Sequence, residues 1–407
     1  MPERLEGARI LIYSHDTFGL GHLRRCRAIA HSLVERFKGL SVLILSGSPI
    51  IGSFDFRARV DFVRIPGVIK LHDGEYKSLG LHIDLDQTMA MRAAIIRHTA
   101  EAFRPNVFLV DKEPLGLKSE VVPTLAMLKQ MGSRLVLGLR DIMDEPTLLS
   151  REWEHKQVMP ALETLYDDIW VYGLEAIADP LAGLACPPSV LRKLHYTGYI
   201  RRTLPRVQRP PERPFGEAPY LLVTVGGGGD GMAVIDWVLS AYEHDPAIPY
   251  PAVLVLGPFM TPARQREFHR RADALGRVRV LTFDSHLELM MANAAGIVAM
   301  GGYNTFCEIL SFDKRAIIVP RRVPRMEQYI RAARAQKLGL VSMLLDDERR
   351  DAGVMASAIR ALPGQRLPSE VVVPGLLDGL DNVNKLLRQK LKARRGRPRL
   401  RLAAQSA

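Results

Sequence analysis

Three stretches of this chain set glycines beside ionisable side chains at spacings that could hold and activate a polar substrate. The first is His15-Asp16-Thr17-Phe18-Gly19-Leu20-Gly21-His22, followed by Leu23-Arg24-Arg25. Glycines two apart let a backbone come close to a ligand. A histidine at the start of the next helix feels the positive end of the helix dipole, which disfavours imidazolium and leaves a neutral base near pH 7. His22 is thus the candidate base, with Asp16 and Asp111 as the alternatives. The second stretch, Gly226-Gly227-Gly228-Gly229, closes a strand. It has neither the GxGxxG spacing of a dinucleotide loop nor a downstream GK[ST], yet four glycines in a row give up much chain entropy and point to a contacted ligand. The third is Ala299-Met300-Gly301-Gly302-Tyr303-Asn304-Thr305-Phe306-Cys307-Glu308. Here a strand runs into two glycines and a helix. The free amides of Asn304 and Thr305, with the Thr305 hydroxyl, could hold a diphosphate without a metal. Glu308, about a turn and a half further on, could accept from both hydroxyls of a ribose. Beyond a proline-ended strand, Glu327 and Gln328 open another helix and could bond sugar hydroxyls.

These loops need a scaffold, and the sequence repeats one twice. In the first half, β-rich stretches at residues 9–14, 41–45, 62–65, 107–111, 135–139 and 169–172 alternate with helical patterns at 21–37, 86–103 and 119–131. In the second, strands are expected at 220–225, 253–256, 278–281, 296–300 and 316–319, with helices between them. Strand–helix alternation implies parallel sheets, and ligands bind beyond the carboxyl ends of such strands. The stretch 203–219 holds five prolines among 17 residues and reads as a linker. The expected organisation is a first α/β domain at 1–202, that linker, a second α/β domain at 220–376, a helix at 377–392 crossing back to the first domain, and a basic tail at 393–407. Asp111-Lys112-Glu113 and Arg140-Asp141 also fall at strand ends, where charge suits a polar acceptor.

A chain of 407 residues exceeds what one core supports, and 25% charged with 47% hydrophobic residues is an ordinary globular balance. Apolar runs are strand-sized, far short of the roughly 20 residues of a membrane span. The N-terminal stretch shows no basic segment leading into an apolar one, so no secretion signal is read. Three scattered cysteines, Cys26, Cys186 and Cys307, make neither a disulfide framework nor a zinc site. A reducing, cytoplasmic setting is expected. Of the net charge of +12, nine positive charges lie from Lys385 onward, leaving +3 for the other 384 residues. That tail reads as a solvated end or as a peripheral contact with anionic lipid at the inner face of the membrane.

Taken together, the loops resemble the GT-B glycosyltransferases, in particular the murein-synthesis N-acetylglucosaminyltransferase and its family 28-like relatives. The resemblance spans nearly the whole chain and is strongest over residues 283–332. It implies two Rossmann-like domains facing across a cleft, with Gly19, Gly21, His22, Arg24 and Arg140 on the acceptor side and His22, Asp16 or Asp111 as the catalytic base. It places Gly226, Gly227, Gly228, Gly302, Asn304, Thr305 and Glu308 on the nucleotide diphosphate, and Glu327 and Gln328 on the donor sugar. The family has two glutamines at that last pair, so Glu327 is a departure that leaves the sugar open. The implied reaction is an inverting displacement from a nucleoside-diphosphate-sugar, expected as UDP with an N-acetylhexosamine-like sugar, to a glycan or lipid-linked acceptor in polysaccharide biosynthesis. No cofactor or metal is expected, since the third helix would meet the diphosphate charge, and the Asp84-Leu85-Asp86 string is not read as a metal site. The string Gly21-His22-Leu23-Arg24-Arg25 is also similar to the nucleotide-sugar hydrolase of pseudaminic acid synthesis, which is the second reading. A remote third is minor-groove DNA binding through Arg395-Gly396-Arg397-Pro398-Arg399.

Overall fold

The computed structural model describes residues 3–15, 21–70, 75–205, 213–226, 229–258, 260–284 and 287–395. Its first sheet has seven strands: β1 Arg9–Ser14, β2 Ser41–Ser46, β3 Val60–Arg64, β4 Val107–Asp111, β5 Arg134–Arg140, β6 Asp168–Tyr172 and β7 Leu194–Tyr196. All are parallel, in the order β7-β6-β5-β4-β1-β2-β3. Continuous apolar runs such as Val107–Val110 are buried on both faces, as a sheet covered by helices on each side requires. The second sheet has six parallel strands: β8 Leu221–Thr224, β9 Ala252–Val255, β10 Val278–Leu281, β11 Gly296–Ala299, β12 Ala316–Ile318 and β13 Ser342–Met343. Their order is β10-β9-β8-β11-β12-β13. In both sheets the order reverses beside the opening strand, which is where an open parallel sheet leaves its ligand crevice.

The helices that matter to the site are α1 Gly21–Arg36, α2 Leu85–Phe103, α3 Val122–Gln130, α4 Leu287–Asn293, α5 Tyr303–Ser311, α6 Glu327–Lys337 and α7 Gly379–Arg395. The helix expected at 119–131 starts only at Val122, because Lys118 and Ser119 take positive φ angles of 45° and 66° and cannot join it. Strands β7 and β13, of three and two residues, carry too few positions to show a period and were not expected. The string at Asp84 does helical work: its carboxylate accepts the Gln87 amide at 2.6 Å and caps α2. Among the described residues no helix is long and apolar enough to cross a membrane.

The halves meet on a shared apolar seam. Tyr199 packs edge-on against Phe306 at 5.2 Å, and the Tyr303 hydroxyl donates to the Tyr172 carbonyl at 2.9 Å. The chain then returns to its first half. Leu376 accepts the Tyr199 amide at 2.8 Å, and Gly198 and Gly379 allow this crossing, since a Cβ on either would lie within 2.3–2.5 Å of a backbone oxygen. Beyond it α7 lies on α1, burying Val383, Leu387 and Leu391 and bonding Asn384 to Ser32 at 2.9 Å. Its basic side is anchored by Lys390 to Asp168 at 2.8 Å. Residues 206–212 of the proline-rich stretch and the tail from 396 lie outside the described residues.

Candidate functional site

His22 is the second residue of α1, at the carboxyl edge of the first sheet. Its Nδ1 lies 2.6 Å from Oδ2 of Asp111, the last residue of β4. Arg25, one helical turn along the same face, grips both Asp111 oxygens at 2.8 and 2.7 Å. Asp111 and Arg25 are buried, so the pair has little solvent screening. Burial opposes ionisation of Asp111, yet Arg25 and then His22 hold its carboxyl well below the usual carboxylate range. Asp111 therefore accepts the Nδ1 proton and leaves Nε2 as the basic nitrogen. Burial, reinforced by Arg25, lowers the imidazole below its ordinary 6.5 against the pull of Asp111. The ring is neutral at pH 7.

A second buried group supports this corner. The Tyr13 hydroxyl donates to Glu120 at 2.5 Å, and Arg92 binds the same carboxylate at 2.7 and 2.6 Å. His15, with its ring centroid 5.7 Å from that of His22, is pushed by burial down to about 3 and stays uncharged. Lys112 pairs with Glu113 at 3.0 Å beside it.

Across the seam, α5 begins after Gly301 and Gly302. Gly301 has φ 75°, and a Cβ there would meet Ile318 Cγ2 at 2.6 Å, so this turn admits glycine alone. Gly302 has nothing within 4 Å of such a position. The first helical bond is Phe306 to Gly302 at 2.9 Å, which leaves the amides of Tyr303, Asn304 and Thr305 without an intrahelical acceptor. Gly226, at the end of β8, takes φ 66° with open space around it.

The structure brings the two halves of the site into contact. The Asn304 amide donates to the Gly21 carbonyl at 3.1 Å and accepts from Arg202 at 2.6 Å. Arg24, expected on the acceptor side, reaches the second half instead: it bonds Glu288 and pairs with Glu308 at 2.8 Å. The α1 backbone directs that side chain toward α4 and α5. Glu308 is buried, and burial raises its carboxyl pKa despite Arg24. A ribose at Glu308 would share that carboxylate with Arg24 or displace it. Glu327 pairs with Arg321 at 3.1 Å, and Arg321 also bonds Asp230. The Gln328 side chain accepts the Arg321 amide at 3.0 Å. Arg140 ends β5, and burial, with the nearby charge of Arg25, lowers its guanidinium pKa to about 10. Asp16, Gly19, Gly227 and Gly228 lie outside the described residues.

Several participants were not anticipated. Arg25 was signalled by its spacing of three from His22, which puts both on one helical face. Arg331 carried no local sign. It binds Asp141 of the other half at 2.7 Å with both side chains fully buried, while Tyr199 donates to the same carboxylate at 2.7 Å. Arg331 also donates to the Gly301 carbonyl at 3.0 Å. Among the described residues no group of three or more His, Cys, Asp or Glu is arranged to hold a metal ion.

Residues 222–362 match the glycosyltransferase family 28 C-terminal domain. An uncharacterized glycosyltransferase of Methanosarcina acetivorans is 23% identical over 392 residues, covering 92% of this chain and 96% of its own. A UDP-glucosyltransferase from Polygonum tinctorium, capable of glucosylating indoxyl, superimposes with a TM-score of 0.61 at 14% identity, over 95% of this chain and 98% of that one. MurG of Acinetobacter baumannii does so with a TM-score of 0.57 at 13% identity, over 95% and 100%. The fold is the one these GT-B glycosyltransferases share, two Rossmann-like halves face to face. The hydrolase and DNA-binding readings gain nothing from these matches.

Proposed function

We propose that the chain transfers a sugar from a nucleoside-diphosphate-sugar to a hydroxyl of a polar, glycan or lipid-linked acceptor, with inversion at the anomeric carbon. The observation that supports this best is the His22–Asp111–Arg25 group, one residue from the contact that joins Gly21 to the start of α5. In this reading Nε2 of His22 takes the acceptor proton as its oxygen forms the new bond to the anomeric carbon. The bond from that carbon to the diphosphate breaks on the opposite face. Asp111 steadies the imidazolium that results, as the carboxylate does in other His-based dyads. The amides of Tyr303, Asn304 and Thr305, the Thr305 hydroxyl and the positive end of α5 meet the charge on the leaving diphosphate. Gly226 would let the facing loop close over it, Glu308 would take the ribose, and Glu327 and Gln328 the sugar.

The decisive experiment screens nucleoside diphosphates and their sugars by thermal shift, then measures nucleoside diphosphate release with candidate hydroxyl acceptors. Release that requires an acceptor supports the transferase. Equal release into water alone reassigns the reaction as hydrolysis, and binding of no nucleotide removes the reading. No divalent ion has a part in this mechanism, so activity is expected to survive EDTA. Loss on chelation that Mg²⁺ or Mn²⁺ restores would put a metal on the diphosphate and contradict the assignment to α5.

A further inference from the structure

One residue at the end of the first half touches the starts of both helices that carry the proposed chemistry. Arg202, just before the proline-rich stretch, donates through one terminal nitrogen to the Asn304 side-chain oxygen at 2.6 Å, and through the other to the Arg24 carbonyl of α1 at 3.2 Å. Asn304 is the second residue of α5, and its Nδ2 donates on to the carbonyl of Gly21, the first residue of α1, at 3.1 Å. Both ends of that side-chain amide are thus in use. The Arg202 backbone amide donates to Ser311 Oγ at 2.9 Å, at the far end of α5. Gly21 leaves no slack at the crossing, since a Cβ there would come within 2.9 Å of Asn304 Nδ2.

His22 follows Gly21 directly, and the amides assigned to the diphosphate begin at Tyr303, the residue before Asn304. The base and the leaving group are therefore carried by different halves, on residues that stand 283 apart at their contact. A covalent path of that length cannot set their separation, so noncovalent contacts must. A misplacement of about 1 Å can cost about 10²-fold in rate. A guanidinium suits this task, because its planar fork holds acceptors on two helices at once, whereas an ammonium is a point donor. We infer that Arg202 is a positioning residue: through Asn304 and the α1 backbone it sets the start of α1 against the start of α5, and so places His22 relative to the departing diphosphate. The Asn304 side chain is reserved for this contact, leaving the phosphates to backbone amides and the Thr305 hydroxyl. This deepens the proposed function and rests on it.

The test compares the full-length wild type with Arg202→Lys, Asn304→Ala and the double variant. UDP binding is measured by calorimetric titration, and turnover as steady-state release of UDP from UDP-N-acetylglucosamine, with and without added hexose acceptors. Each single variant is expected to lose about tenfold or more in kcat, while UDP affinity and donor KM stay within about twofold. The double variant should be no slower than the slower single one, because the two residues act as a unit. A contact that only held the fold together would move stability without this split of kcat from KM. Full turnover in either single variant overturns the inference; in Arg202→Lys it would mean that charge alone suffices. Loss of UDP affinity in Asn304→Ala puts that side chain on the diphosphate and also overturns it. Losses that multiply in the double variant do the same, since they show the two residues acting apart. A wild type that fails to bind UDP, or to release it from this donor, overturns the proposed donor reading and the inference with it.

Discussion

At the residue scale the proposed reaction turns on one proton. The imidazole of His22 is kept neutral by burial and aimed by an aspartate that Arg25 holds ionised, so one ring nitrogen is committed and the other is free. His22→Ala should lower turnover by about 10² or more while donor binding persists. Full turnover in that variant would remove His22 from the mechanism. The pH dependence follows from the direction of its shift. A base works only when deprotonated, and burial places its pKa below 6.5. The acid limb of kcat/KM is therefore expected to have its midpoint below pH 6.5, with a plateau above it. A midpoint clearly above that value would mean that another group, or a charged histidine, governs the rate.

At the scale of elements, the start of α5 is the part with least freedom. Its approach turn needs the left-handed backbone of Gly301, and the Ile318 side chain closes the space a Cβ would occupy. Gly301→Ala is expected to cost about 1–3 kcal/mol of stability, seen as an earlier urea midpoint, and to weaken nucleoside diphosphate binding as the amides of α5 shift. Unchanged affinity in a folded variant would show that those amides do not hold the phosphates. At the same scale the Asp84 carboxylate caps α2 by accepting the Gln87 amide. Helix α7 is a clasp between chain end and first half, made of buried leucines and a lysine on Asp168.

At the scale of the whole molecule, the seam is both joint and site. The Arg331–Asp141 pair is fully buried between the halves and touches the turn at Gly301, so it couples domain packing to the start of α5. Arg331→Met strands the Asp141 charge and should destabilise by about 3–5 kcal/mol, measured by equilibrium unfolding followed through tryptophan fluorescence. Replacing both partners by apolar residues should cost less than the single change. A single variant as stable as the wild type would show that the pair does not hold the halves together.

What the amino-acid sequence determined alone was local and periodic. Runs such as residues 107–111 and 296–299 are apolar throughout, and glycines follow strand ends, so both sheets, their parallel sense and the three loops could be read directly. His22 and Asp111 could be named singly, because a helix start and a strand end are local facts. Tertiary structure alone decided the pairings. His22 and Asp111 stand 89 residues apart in the chain, and Arg331 and Asp141 stand 190 apart. No periodicity encodes such distances. The first pairing forms where α1 lies over the carboxyl edge of its own sheet, the second where the two halves pack together and exclude water. Tertiary packing also set Arg24 against Glu288 and Glu308, since contacts between the halves depend on surfaces that no single segment contains.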